Sequence, residues 1–141
     1  MTLIKKKQIK DLPQSPTGDS FYSPMAFVFG GRDDEYVETN SGTYEVVGHV
    51  PFQGTDALGG IDNIKVNIWR QLGTSVSIRI VDHNTANVIA EVTGVTSTDP
   101  FNFISMGTLS NIPTTDSILE LQMLKIGGGG FARLGCLEIN F

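Results

Sequence analysis

The sequence predicts an all-β protein, an antiparallel β-sandwich of the jelly-roll or Greek-key type with a short N-terminal arm. Apolar and polar residues alternate along several short segments, which is the pattern of strands that bury one face. The 16 glycines and the frequent Asn, Asp, Ser and Thr residues between these segments are typical of turns. No segment of more than about ten residues follows the period of a helix. With 141 residues, the chain is long enough for one domain with its own core.

About nine short strands follow from this pattern, a number that suits two packed sheets. The long connections in the middle of the chain favour a jelly roll over a simple meander. Gly54–Gly60 is predicted to be a loop. In chain order, the predicted strands lie at Met25–Phe29, Glu35–Glu38, Thr43–Val50, 64–69, 76–81, 88–93, 101–105, 118–124 and 132–141.

The later strands carry more detailed expectations. The turn Asp82–Thr85 is expected to close the clearest hairpin of the chain. Phe101 and Phe103 continue the alternation, as the apolar face of a further strand. In the last strand the apolar parity changes at Gly135, which predicts a β-bulge there. Gly127–Gly130 is expected to be a hairpin loop and not a phosphate-binding loop, because no Lys-Ser/Thr pair and no helix follow it.

The N-terminal segment differs in charge from the rest of the chain. Residues 1–12 read MTLIKKKQIKDL and carry a net charge of +3, whereas the whole chain carries −5, so residues 13–141 carry −8. Prolines and polar residues from 13 to 20 separate this arm from the strands. The predicted organisation is therefore an arm and linker over residues 1–20 and a β-sandwich domain over 21–141. The residues expected to bind a partner are Lys5, Lys6, Lys7, Ile9, Lys10 and Leu12.

The chain shows no recognisable catalytic set, and we expect it not to be an enzyme and to need no cofactor. The single cysteine, Cys136, excludes an internal disulfide and is expected to be a small buried residue. Asp82 and His83 are neighbours in a turn, which does not orient an acid–base pair. The densest carboxylate cluster is expected to be solvated, with calcium binding as the alternative; it consists of Asp33, Asp34, Glu35 and Glu38.

Three aromatic residues are candidates for stacking on a sugar: Tyr36, Tyr44 and Trp69. Trp69 lies on the face opposite the apolar residues of its strand. It is expected to pack in the core or at a sheet edge, and the alternative is an exposed aromatic that would suit sugar stacking or a subunit interface. Nucleic acid is not an expected partner, because the acidic domain repels phosphates and no aromatic residues lie among the lysines. No apolar run approaches the length of a membrane span and no secretory signal is evident, so a membrane is not expected either.

The arm, the short Pro/Ser/Thr linker and the compact jelly-roll-like domain together resemble small tailed-bacteriophage virion proteins of the capsid decoration (cement) or head and tail fibre type. The resemblance covers Met1 to Leu12 and the overall layout. It implies that the arm grips the major capsid protein or a neighbouring subunit, and that the β-domain forms a homotrimer.

The resulting expectation is a non-enzymatic virion structural protein, a trimeric decoration protein attached through its arm and assembled in the host cytoplasm. The alternative is a carbohydrate- or receptor-binding module of a phage fibre.

Overall fold

The computed structural model describes residues 36–72 and 75–141, together with the backbone of 25–28. These ranges contain nine strands and one helix of four residues. The strands are β1 (Met25–Val28), β2 (Val37–Thr39), β3 (Glu45–Phe52), β4 (Asn63–Arg70), β5 (Ser75–Asp82), β6 (Val88–Val95), β7 (Phe103–Ser105), β8 (Ser117–Ile126) and β9 (Ala132–Asn140), and the helix is α1 (Thr55–Leu58).

The nine strands form two antiparallel sheets that pack face to face. The first sheet has the order β1–β9–β4–β7, and β2 also pairs with β9, next to β1 along the same side. The second sheet has the order β3–β8–β5–β6. Among the described strands, only β5 and β6 are neighbours both in sequence and in a sheet. β1 and β2 both lie in the first sheet, and from β2 onward every connection apart from β5–β6 crosses between the sheets. This interleaving is the jelly-roll arrangement, so the predicted fold class is confirmed.

The core lies between the two sheets and is formed by the alternating apolar residues. Every second residue of β4, β5 and β8 points inward and is buried, as the period-two pattern predicts. Burial of this kind removes large aliphatic side chains from water and supplies most of the favourable free energy of folding. The inward side chains of these three strands are Ile64, Val66, Ile68, Val76, Ile78, Ile80, Leu119, Leu121 and Met123.

The predicted bulge in β9 is present at Gly135. Asn67 of β4 pairs with Cys136, whereas the next residue of β4, Ile68, pairs with Leu134, so Gly135 has no partner. The extra residue lets Leu134 and Leu137 both face the core despite their opposite parity. Glycine fits here without displacing a neighbour, whereas a Cβ atom would lie 2.3 Å from Oδ1 of Asn67 and would force that side chain to move.

The prediction for the face of β7 is wrong. Val66 of β4 points inward and pairs with Ile104, while the outward-facing Asn67 pairs with Phe103. Ile104 is therefore the residue that packs on the core. Phe103 and the preceding Phe101 are exposed. The alternation was identified correctly, but the pairing register with β4 decides which parity faces inward.

Two connections also differ from expectation. Gly127–Gly130 joins β8 to β9, which belong to different sheets, so it is a crossover and not a hairpin loop. The predicted loop 54–60 contains α1, whose first amide, from Thr55, donates to the Pro113 carbonyl at 3.0 Å. Gly54 precedes it with a φ of 86°, a conformation that glycine adopts without strain. The described part of the chain has no helix long and apolar enough to cross a membrane.

Candidate functional site

Most of the residues predicted to bind a partner or a cation lie outside the described residues. This holds for all six residues of the arm and for Asp33, Asp34 and Glu35. Glu38, the fourth member of the acidic cluster, lies in β2 and accepts a hydrogen bond from Nε of Arg133 at 3.2 Å. Among the described residues, no three His, Cys, Asp or Glu side chains converge as metal ligands would.

The N-terminal segment joins the sandwich at a defined end. Met25, the first residue of β1, pairs with Ile139, which lies one residue before the end of β9. At the same end, β4 begins with Asn63 opposite Asn140. Residues 1–24 therefore lead into the β-sandwich, which we call the body, at the end where β9 finishes. β4 and β8 both begin at this end.

Four aspartates lie at this end, which we call the acidic end: Asp56, Asp62, Asp82 and Asp116. Asp62 precedes β4, and its amide donates to the Asn140 carbonyl at 2.7 Å. Asp56 in α1 donates its amide to the Thr114 carbonyl at 2.9 Å, which places α1 beside the segment that leads to Asp116. Within the described ranges, Arg70, Lys125 and Arg133 lie towards the other end, since β4 and β8 finish there and β9 begins there. The remaining described Lys and Arg residues are Lys65, the third residue of β4, and Arg79 in β5.

A hollow opens at the acidic end between the β5–β6 turn and the segment that precedes β8. We call it the end hollow. Its lining is mainly carboxylate, amide and hydroxyl side chains, with Ile112 and Pro113 as the apolar part, and it contains no Lys or Arg. The lining residues are Asp82, Asn84, Thr85, Asn87, Asn111, Ile112, Pro113, Thr114, Thr115, Asp116 and Ser117.

Asp82 lies in the wall of the end hollow and stabilises it through hydrogen bonds. Its side chain is 4% exposed and accepts hydrogen bonds from the Asn84 amide at 3.0 Å, from Oγ1 of Thr85 at 2.8 Å and from Oγ of Ser117. Burial raises the pKa of this carboxyl, but the hydrogen bonds from Ser117, Thr85 and Asn84 outweigh burial and lower the pKa overall. Asp82 therefore remains ionised and fixes the turn to the start of β8.

The outer face of the second sheet carries a line of polar contacts that crosses its strands. The guanidinium of Arg79 lies 4.0 Å from the ring centroid of Tyr44, whose hydroxyl donates to Oε1 of Glu91 at 2.5 Å. Nε of Arg79 also donates to Oε1 of Gln122 at 2.7 Å. Each contact joins residues from different strands or loops, so this line ties the sheet together on its solvent side.

The line continues towards the acidic end. Nε2 of Gln122 donates to Oε2 of Glu120 at 2.8 Å, and Oε1 of Glu120 lies 2.6 Å from Nδ1 of His83. The rings of His83 and His49 meet edge to face, with their centroids 6.5 Å apart. The hydrogen bonds from His83 and Gln122 lower the pKa of the Glu120 carboxyl, which keeps it ionised.

The phenol of Tyr44 belongs to the same line. Burial, and then the hydrogen bond to Glu91 and its negative charge, raise the pKa of Tyr44 well above its usual value, so the hydroxyl remains a donor. Tyr44 was predicted as a stacking residue, and Arg79 already covers one face of its ring. The sequence marks Arg79 and Gln122 as outward-facing by parity, but it does not indicate that they lie side by side.

The other two predicted stacking residues meet on the outer face of the first sheet. Tyr36 and Trp69 contact edge to face, with ring centroids 5.6 Å apart. The guanidinium of Arg133 lies 4.3 Å from the centroid of Tyr36 and also pairs with Glu38. Trp69 is 6% exposed, so it packs at the sheet surface and presents little of its ring to solvent.

An apolar patch lies at the β7 edge of the first sheet. Phe101 is 71% exposed and Phe103 is 46% exposed. Nδ2 of the buried Asn67 donates to the carbonyls of Pro100 at 2.7 Å and Asn102 at 3.1 Å, which fixes the backbone on both sides of Phe101. Sequence reasoning assigned both phenylalanines to the alternating pattern of a strand and so did not predict this exposed surface.

The remaining candidates for chemistry are not assembled into a catalytic arrangement. Cys136 is partly buried, and burial together with the charge of Glu138 raises the pKa of its thiol. A raised pKa favours the thiol over the nucleophilic thiolate. Asp82 and His83 point to different partners, Ser117 and Glu120 respectively, so the adjacent residues do not form a pair.

Comparison with known proteins adds a similarity of structure. No family model matches the sequence, and no curated protein matches it. A chain in the structure of infectious bursal disease virus Gt strain is similar, with a TM-score of 0.46 and 10% sequence identity, over 82% of this chain and 32% of that chain. This chain therefore spans about a third of the length of the chain that it matches.

Proposed function

We propose that this chain is a non-enzymatic structural protein of a virus particle, a decoration protein that forms homotrimers and attaches through its N-terminal arm. The observation that carries the proposal is that a basic segment is joined to the acidic end of the sandwich. Residues 1–12, with a net charge of +3, are joined through residues 13–24 to the end of the sandwich where Asp56, Asp62 and Asp116 lie. A basic segment tethered beside an acidic surface of its own chain favours association between copies.

Two further observations support this function. The jelly-roll arrangement of two sheets is used by viral capsid proteins and by lectins, so the fold suits a virion subunit without requiring it. Phe101 and Phe103 give the body a rigidly held apolar patch, and exposed patches of this kind often mark protein interfaces.

The carbohydrate-binding alternative has less support. Sugar recognition by stacking needs an accessible aromatic face, whereas Trp69 is buried and Arg79 covers one face of Tyr44. A virion subunit needs no such face, and for this reason it is the function that we propose.

The test compares the full chain with a chain that lacks residues 1–12, by size-exclusion chromatography with light scattering and by binding to purified capsids. We expect the full chain to be a trimer that binds capsids and the shortened chain to lose attachment while its far-ultraviolet circular dichroism stays unchanged. The control replaces Lys5, Lys6, Lys7 and Lys10 with alanine, which should weaken attachment in a manner that depends on salt.

A full chain that remains monomeric at high concentration and binds no capsid would contradict the proposal. A shortened chain that still attaches would assign attachment to the body instead of the arm.

A further inference from the structure

We infer that the end hollow is the docking site for residues 1–12 of a neighbouring copy. This inference rests on the proposed function, in which copies of the chain associate through the arm, and it specifies the surface that receives the arm.

The chemistry of the end hollow matches that of the arm. The arm contributes four lysines together with Ile9 and Leu12. The hollow contributes carboxylates and other oxygen atoms beside an apolar part formed by Ile112 and Pro113. Ile118, which is 42% exposed, begins the adjacent outer surface of β8 between Asp116 and Glu120. Lysine side chains can therefore meet acceptors while the two apolar anchors remain in contact with apolar surface.

The carboxylates at this site differ in their availability. Asp82 is engaged in three hydrogen bonds within the wall, so it shapes the hollow and does not receive the arm. Asp116 and Asp56 are exposed, and no hydrogen bond or ion pair within the described residues engages their carboxylates. Asp116 lines the hollow. Asp56 lies beside the hollow, because α1 is hydrogen-bonded to the lining residues Pro113 and Thr114. Asp116 and Asp56 are the acceptors that we assign to the lysines.

The position of the hollow and the length of the chain allow the contact between neighbours. Residues 1–24 lead into β1 at the acidic end, which also holds the hollow. The twelve residues from 13 to 24 can span at most about 40 Å, on the order of the diameter of a body of this size. Copies that bring their acidic ends together therefore place each arm within reach of the hollow of the next copy.

A photo-cross-linking experiment on the full chain tests this assignment. Benzoylphenylalanine replaces Thr115, an exposed residue of the hollow, in one preparation and Phe101 in a second. Each preparation is mixed with copies labelled with nitrogen-15 and irradiated, and the products are identified by mass spectrometry. We expect position 115 to give products with residues 1–12 that join a labelled to an unlabelled copy, and position 101 to give none.

Charge variants of the full chain provide a second, independent test. Asp116→Lys combined with Asp56→Lys should lower the yield of the arm product from position 115 by roughly three- to tenfold, since attraction becomes repulsion at two exposed sites. Thr93→Lys adds positive charge at an exposed site on β6, away from the hollow, and should leave the yield unchanged.

The outcomes separate the docking inference from the proposed function. A trimer in which position 101 captures the arm and position 115 does not would overturn the docking inference and leave the proposed function standing. A product formed only within one copy, or an oligomer with no arm product at position 115, would also overturn it. A chain that is monomeric and binds no capsid would contradict the proposed function itself.

Discussion

The outer faces of the two sheets each carry a tyrosine under an arginine with a glutamate nearby, and yet they are held in different ways. On the first sheet, Arg133 covers Tyr36 and pairs with Glu38, and Tyr36 rests against the buried Trp69. The cluster therefore includes a large apolar residue, Trp69, that is buried from water.

On the second sheet, Arg79 covers Tyr44, but the glutamate accepts its hydrogen bond from the phenol. This cluster leads onward through Gln122 and Glu120 to His83. It is a line of polar contacts between side chains that are exposed or half-buried.

The difference teaches how each face should respond to change. Burial gives the larger free energy per residue. Truncating a side chain on the first face should therefore lower the free energy of unfolding strongly, and this loss should not depend on pH. Each hydrogen bond between exposed groups contributes little to the free energy of unfolding, but the partners on the second face are ionisable. Truncating a side chain there should therefore cause a small loss of stability, and that loss should depend on pH. The following predictions test this contrast.

The largest effect is expected from Trp69→Ala. Removing a buried indole leaves a cavity and should lower the free energy of unfolding by about 3–5 kcal/mol. Urea unfolding followed by circular dichroism measures it, because Trp69 is the only tryptophan and its fluorescence is lost. Leu72→Ala, at a residue 72% exposed, is the control and should change stability by less than about 0.5 kcal/mol. Equal effects of the two variants would contradict a face held by burial.

A smaller loss is expected from Gly135→Ala, which alters the bulge beneath the same cluster. The new Cβ atom would lie 2.3 Å from Oδ1 of Asn67 and 3.3 Å from Cζ3 of Trp69, so these side chains must move. Overpacking of this kind costs about 1–3 kcal/mol, measurable by the same urea titration. Gly129→Ala is the matched control, since no atom lies within 4 Å of its Cβ position. If Gly135→Ala is as stable as the parent, the bulge does not depend on glycine.

On the second face, Glu120→Gln should lower stability by about 1 kcal/mol at neutral pH. The pKa of Glu120 is lower in the folded chain than its usual value. Its contribution is therefore present above the unfolded pKa and is lost as the pH falls through the folded pKa. Thermal unfolding from neutral to acidic pH should show the parent and the variant converging. Thr93→Ala, at an exposed residue with no ionisable side chain, should run parallel to the parent. A gap that stays constant for Glu120→Gln would argue against a contribution from the charge of Glu120.

The smallest effect is expected from Tyr44→Phe, at about 0.5 kcal/mol, because water can replace the phenol at Glu91. The raised pKa of Tyr44 means that its contribution is complete below the unfolded pKa and is lost only as the pH rises above it. In a titration of phenolate absorbance against pH, the transition at the highest pH should be absent from Tyr44→Phe. The same transition should remain in Tyr36→Phe. Persistence in Tyr44→Phe would place the raised pKa on another residue.

Local periodicity was sufficient to predict the fold class and several details. The alternation of Ile64, Val66 and Ile68 identified β4 and its inward face, and the change of parity around Gly135 located the bulge. These features depend on a single strand and its own side chains, so one sequence contains the information.

Features that depend on pairing between distant segments could not be predicted. The outward orientation of Phe103 follows from its register against Asn67, and alternation alone does not show which parity faces the core. The contact of Tyr44 with Glu91 joins residues 47 apart, and it forms because strands β3 and β6 lie in one sheet with Arg79 between them. The end hollow likewise appears only when the β5–β6 turn meets the segment before β8.

The position of β9 has a consequence for the order of events during synthesis. β9 is the last of the described strands, and yet it lies between β1 and β4 in the first sheet. At a synthesis rate of about 5–20 residues per second, synthesis from Arg70 to Ala132 takes on the order of 3–12 s. During this time β7 becomes available to β4, but β9, the strand that joins β4 to β1, does not yet exist. The arm is made first and the sheet closes last, so association between copies would follow the completion of the body. Substitutions in β9 should therefore reduce the yield of folded chain before they affect any contact between subunits.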